Sequence, residues 1–116
     1  MAHDHHPDPA DLADPGEARV VAAIMQALAA PSRLRILGTL CARPHTVGDL
    51  AQAVGMQESA VSHQLRVLRH LRLVVSDREG RRVRYRLHDD HLAALLAQAM
   101  SHAEHVGARR ALHGAA

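Results

Sequence analysis

The segment Gln57–Leu71, QESAVSHQLRVLRHL, most limits what this chain can become. Val61, Leu65 and Leu68 recur at i, i+4 and i+7, so they line one face of an amphipathic helix. The opposite face carries Ser59, Ser62, His63, Gln64, Arg66 and Arg69. Short hydrogen-bonding groups and guanidinium forks are the side chains that reach base edges and phosphates. Just upstream, Thr46–Val54 (TVGDLAQAV) is a second short helical pattern, broken by Gly55-Met56. Two short helices with a Gly-containing turn make a helix-turn-helix, whose second helix enters a DNA major groove. The residues expected to face DNA from that helix are Gln57, Ser59, Ser62, His63, Gln64 and Arg66. A polar helix face is bland by itself; the turn before it and the basic hairpin after it make this one informative.

After Leu71 the period shortens. Leu73-Val74-Val75 is apolar and β-branched, Ser76–Arg81 is a turn with Gly80 at a position suited to φ > 0, and Arg82–Leu87 alternates strictly. Val83, Tyr85 and Leu87 fall on one face, Arg82, Arg84 and Arg86 on the other. Arginines on a strand can simply protect an edge from aggregation. Directly behind a recognition helix, a half-buried hairpin with a basic rim reads as a wing, with Arg78, Arg81, Arg82 and Arg84 set for phosphate.

The composition supports this reading. The 116 residues suit one compact domain with short tails. With Tyr85 the sole aromatic outside the histidines, the core must be Leu, Val, Ile, Met and Ala, helical and completed by a partner chain. All 14 Lys/Arg residues are Arg, either for bidentate phosphate and guanine contacts or as an effect of genome composition. The net charge of +2 conceals an asymmetry: residues 1–17 hold five acidic residues and no Arg, whereas residues 18–86 hold twelve Arg against four acidic residues, a local net of +8. A basic middle points to a polyanion partner. One cysteine, Cys41, excludes a disulfide framework and suits a reducing, cytoplasmic setting; no apolar run or signal peptide points to a membrane.

In chain order, residues 1–16 hold three prolines and few large apolar side chains, which predicts a disordered tail carrying His3, His5 and His6, either solvated or metal-capturing. Residues 17–106 form the domain. Glu17–Ala30 is a first helix with Val20, Val21, Ile24, Ala27 and Leu28 as its stripe. Ser32–Ala42 is a second, following Pro31, which suits a first helical turn; it buries Leu34, Ile36, Leu37 and Leu40, with Cys41 as a small buried hydrophobe. Thr46 caps the third helix; Ser59 is a candidate cap for the fourth, with a start nearer Gln57 as the alternative. Asp89-Asp90 cap a last helix from about His91 to Val106, and residues 107–116 are a flexible end. The expected fold is mainly α with a β-hairpin wing: a winged helix-turn-helix of about five helices, dimerising through its first and last helices.

The last helix carries Asp89, His91, His102 and His105. At 100° per residue His102 returns to within about 20° of His91, and His105 falls about 40° to the other side, so the three imidazoles share a face. His91 and His102 are about 16 Å apart along the axis, at 1.5 Å per residue, whereas metal–nitrogen bonds are only about 2 Å long. One helix cannot close both ends on one ion; two antiparallel copies can. That arrangement predicts a twofold dimer with two equivalent sites, which is also what a twofold operator requires. Against it stands the chain's 11 histidines, which make chance spacings more common.

The stretches LAAPSRLRILGTL, SAVSHQLRVLRHLRLV and REGRRVRYRL resemble the ArsR/SmtB family of winged-helix, metal-responsive repressors over roughly Ala18 to His105. The resemblance implies a homodimer that binds operator DNA when metal-free and releases it on binding metal. The family's thiolate site needs cysteines near Val47–Leu50, and this chain has none there. Its last helix matches the family's interhelical site at Asp89, His91, His102 and His105. A nickel- and cobalt-responsive branch of the family adds the N-terminal amine and an adjacent histidine, which Ala2 and His3 match once Met1 is removed. With Met1 retained, the free amine and His3 could hold copper or nickel in a square plane instead.

Four nitrogen and oxygen ligands suit tetrahedral Zn(II); two further nitrogens favour octahedral Ni(II) or Co(II). The expected function is therefore a repressor of metal-efflux or homeostasis genes that responds to Ni(II) or Co(II). The alternatives are a Zn(II) sensor using the four helix ligands, a metal buffer on a winged-helix scaffold, and a metal-independent or partner-controlled regulator. No nucleophile–base set or phosphate loop points to an enzyme.

Overall fold

The computed structural model describes residues 6–114. Its order is a turn of 3-10 helix at Pro9–Ala13, then α1 (Pro15–Leu28), α2 (Pro31–Ala42), α3 (Val47–Val54), α4 (Glu58–His70), β1 (Val74–Glu79), β2 (Arg82–Leu87), α5 (Asp90–His105) and α6 (Ala108–Gly114). This is the expected helical domain with one antiparallel hairpin, extended at both ends.

Short helical turns lie in both extensions. Residues 1–5 of the expected tail lie outside the described residues; within the rest, Asp8 caps the 3-10 turn through Ala10 N–H at 2.9 Å. Asp14 in turn caps α1 through Glu17 N–H at 3.1 Å. Carboxylates at N-caps satisfy orphan N–H groups, and Pro9 and Pro15 fit first turns because their missing N–H costs nothing there. The proline-rich composition thus marks helix starts as well as loops. At the other end Gly107, at φ 67, ends α5, and α6 begins directly after it.

The core lies where α2, α3 and α4 cross. Ile36, Leu37, Leu50, Val61, Leu65, Leu68 and Val74 are fully buried, and Leu92 of α5 joins them. Thr46 caps α3 through Asp49 N–H at 3.1 Å, and Gly55 takes the left-handed conformation (φ 67) that turns the chain toward α4. α4 starts at Glu58 with Gln57 in the cap position, so Ser59 is not its cap. The hairpin pairs Val74 with Leu87 through Glu79 with Arg82, and Gly80 (φ 62) supplies its turn. His45 extends it by one bridge: its N–H donates to the Tyr85 carbonyl at 3.0 Å and its carbonyl accepts from Tyr85 N–H at 2.7 Å. The buried His45 ring donates from Nδ1 to the Arg43 carbonyl at 2.7 Å. The wing is thereby fixed to the loop in front of α3.

Two α2 positions differ from expectation. Leu34 is 40% exposed and Cys41 is exposed rather than buried. Both lie on flanks of α2 that the chain's other elements do not cover. Partial desolvation still pushes the Cys41 thiol above its ordinary value. Among the described residues no single helix is long and apolar enough to cross a membrane.

Candidate nucleic-acid interface and metal ends

α4 presents Ser59, Ser62, His63 and Arg66 to solvent, with Gln57 exposed at its start. Its buried stripe of Val61, Leu65 and Leu68 anchors it against α2 and α3, leaving the polar face outward. Gln64 is the exception among the expected base readers. It is partly buried, and its amide is engaged by α2: Oε1 accepts from Arg33 Nε at 2.7 Å and Nε2 donates to Ser32 Oγ at 3.2 Å. Gln64 stands three residues after Val61 and four before Leu68, at the margin of the buried stripe, and its partners come from α2.

The alternation of β2 holds. Val83, Tyr85 and Leu87 are half-buried, while Arg82 and Arg86 are exposed. Asp77 and Glu79 of β1 share the arginine face. Arg84 Nε donates to Glu79 Oε2 at 3.2 Å, and Arg86 Nε to Asp77 Oδ2 at 2.7 Å. Exposed pairs of this kind are worth about 0–1 kcal/mol, so phosphate can displace them, but Arg84 must first leave Glu79. No ion pair holds the exposed Arg78, Arg81 and Arg82 at the tip among the described residues. The tip therefore carries the wing's most available positive charge.

The expected metal ligands divide between the two ends of α5. Asp89 is its N-cap: Oδ1 accepts from His91 N–H at 2.9 Å, and Oδ2 lies 3.6 Å from His91 Nδ1. The neighbouring His88 ring bonds Asp89 Oδ2 at 3.1 Å. That bond above all holds the Asp89 carboxyl below its ordinary value; slight desolvation opposes it, and the His91 N–H and both imidazoles add to it. An ionised carboxylate beside a 96% exposed imidazole is a donor pair suited to a divalent ion. His102 and His105 lie exposed in the last turn, about 16 Å and about 21 Å from His91 by helical rise. Among the described residues of one chain, no three His, Cys, Asp or Glu side chains gather to hold an ion. A centre made from these donors needs a second chain. Ala2 and His3, the other expected ligands, lie outside the described residues. His88 was missed in the sequence, although it stands directly before Asp89 in the run His88-Asp89-Asp90-His91.

A helix-turn-helix with a basic wing followed by a capped, histidine-bearing helix defines a class, and the matches agree with it. The family of bacterial regulatory proteins described as arsR matches residues 30–76. Together with the relative described next, this places the chain in the ArsR family of winged-helix regulators, among transcriptional regulators rather than enzymes. The particular likeness is to the HTH-type transcriptional regulator NmtR of Mycobacterium tuberculosis, 57% identical over 93 residues that span 80% of this chain and 78% of that protein. The solution structure of apo-NmtR superposes with a TM-score of 0.71 at 52% identity, covering 90% of this chain and 87% of that one. A homodimeric winged helix-turn-helix DNA-binding domain from Mycobacterium bovis superposes at 0.73 with 32% identity, covering 90% and 91%. The chain is thus an ArsR-family transcriptional regulator, similar over most of its length to NmtR.

Proposed function

We propose that this protein is a cytoplasmic, metal-responsive repressor. Its metal-free homodimer binds double-stranded operator DNA and is released when Ni(II) or Co(II) binds, controlling metal efflux or homeostasis. The observation that carries the proposal is the division of Asp89 and His91 from His102 and His105 by the length of α5, with all three imidazoles solvent-facing. Antiparallel pairing of two α5 helices brings each end to its complement, and a relative of this fold is described as homodimeric. Exposed Val20, Met25, Leu95 and Met100 supply apolar surface for that pairing.

In the metal-free dimer, Gln57, Ser59, Ser62, His63 and Arg66 face base edges, and Arg78, Arg81, Arg82 and Arg84 face phosphate. A bound ion supplies a fixed charge that both chains' donors can share. Asp89 and His91 of one chain, held with His102 and His105 of the other, then fix the angle between the α5 helices. The two recognition helices move with them, off the spacing of successive major grooves. Coupling of this kind amounts to about 1–3 kcal/mol, or about 5–150-fold in DNA affinity. Ala2 and His3 would complete a six-coordinate nickel or cobalt site; the four α5 donors alone would make a zinc site. Deleting residues 2–6 separates the two, since only the nickel reading expects metal preference to change.

Mixed dimers test the shared site. Chains carrying Asp89→Ala and His91→Ala are combined with chains carrying His102→Ala and His105→Ala. Neither parent responds to metal, and the mixed dimer regains one intact site and releases DNA. A mixed dimer as unresponsive as its parents would contradict a site shared between chains.

A further inference from the structure

A polar cluster where α1, α2 and α4 meet belongs to neither the exposed reading face nor the metal ends. Arg33, in the first turn of α2, sends Nη1 to the Ala27 carbonyl at 3.3 Å and Nε to Gln64 Oε1 at 2.7 Å. Gln64 Nε2 donates to Ser32 Oγ at 3.2 Å, and all three bonds are partly buried. Arginine only donates, so the amide oxygen of Gln64 must face it. Ala27 lies in the last turn of α1, where carbonyls have no intrahelical partner and carry partial negative charge. One guanidinium therefore ties the end of α1 to the recognition helix. Recognition of adenine by glutamine requires both amide oxygen and nitrogen to be presented to the base. In Gln64 both atoms are turned to α2.

We infer that Gln64, together with Arg33, is a positioning residue: it sets the angle of the recognition helix against α1 and touches no base. The inference rests on the reading of this chain as an operator-binding protein. It also gives α1 a route to α4 that does not pass through α5.

The test uses Arg33→Met, Gln64→Leu, the double variant and Gln64→Glu in the full-length protein, with thermal melting to show that each is folded. Three quantities are measured: operator affinity across salt concentrations, base preference on single-substituted operators, and amide hydrogen exchange of α4 without DNA. Each single variant is expected to lose about tenfold in operator affinity, the loss associated with one charge-assisted hydrogen bond. The double variant should be no weaker than the singles, the salt slope unchanged and the base preference unchanged. Gln64→Glu keeps an acceptor for Arg33 and can accept from the Ser32 hydroxyl, so it should recover wild-type affinity and preference. Exchange around residue 64 should quicken in Arg33→Met and Gln64→Leu and return to normal in Gln64→Glu.

Additive losses, or a Gln64→Glu protein that prefers cytosine where the wild type prefers adenine, would make Gln64 a base reader and overturn the inference. A salt slope reduced by about one in Arg33→Met would make Arg33 a phosphate contact instead and likewise overturn it. If the wild type binds no operator fragment, the proposed function fails, and the exchange measurement still decides the link between Arg33 and Gln64. Unchanged α4 exchange in both single variants would remove that link.

Discussion

The recognition module and the layer formed by α1 and α5 use apolar side chains in opposite ways. In α2, α3, α4 and β1, Ile36, Leu37, Leu50, Val61, Leu65, Leu68 and Val74 are closed off from water within one chain. In α1 and α5, Val20 is 61% exposed and Met100 60% exposed, and Met25 and Leu95 are exposed with them. Apolar surface returns about 25 cal/mol per Å² only when it is buried, so the second layer holds stabilisation that one chain does not collect. The first region is a finished structural unit. The second is finished by association, and in the proposed dimer that same association joins the two ends of α5. Dimer stability and metal sensing then share one set of helices, while DNA reading sits on a part whose core is closed within one chain.

The contrast can be broken most strongly at the core. Leu65→Ala should destabilise the fold by about 2–5 kcal/mol, read as a lower urea midpoint. Met25→Asp, at a side chain that one chain leaves half exposed, should barely change the secondary structure. It should nevertheless dissociate the dimer in sedimentation and lower operator affinity by about a hundredfold, because linked half-site binding is lost. If Met25→Asp remains dimeric with full affinity, the α1 layer is ordinary exposed surface and the comparison fails. Gly55→Ala forces a side chain into the left-handed region at φ 67 and should cost about 1–2 kcal/mol by thermal melting. Thr46→Ala removes the α3 cap and should cost about 1 kcal/mol in the same measurement.

The smallest effect concerns pH. The Asp89 carboxyl is held below its ordinary value in the folded state, chiefly by His88. Its contribution to stability is therefore fully present above the ordinary carboxylate range and is lost as pH falls through the depressed folded value. His88→Ala should move the Asp89 titration upward in carboxyl NMR, with little change in the melting temperature, because the pair is about half exposed. An unmoved titration would assign the depression to the α5 N-terminus rather than to His88.

Much of this was legible in the residues. The period of Val61, Leu65 and Leu68, the alternation of Arg82–Leu87, the Thr46 cap and the Asp89 cap each declare local structure through short-range geometry. What escaped depends on neighbours distant in sequence. Leu34 and Cys41 fit a buried stripe, and only the arrangement of the other elements leaves them open. Gln64 reads as a base-contacting polar residue until Arg33 and Ser32, some thirty positions earlier, are brought against it. The acidic, proline-rich start reads as disorder by composition, whereas Asp8 and Asp14 act as helix caps. The division of the metal donors was readable because it follows from helical rise alone.

The most direct measurement is the fluorescence anisotropy of a labelled operator fragment, taken from the region upstream of the protein's own gene and titrated separately with nickel, cobalt and zinc. Release of the DNA by nickel or cobalt at lower metal occupancy than by zinc, with release abolished in His102→Ala while its metal-free binding persists, is the result expected here. DNA binding that no metal alters, or a His102→Ala protein that releases DNA as the wild type does, would contradict a switch built on the two ends of α5.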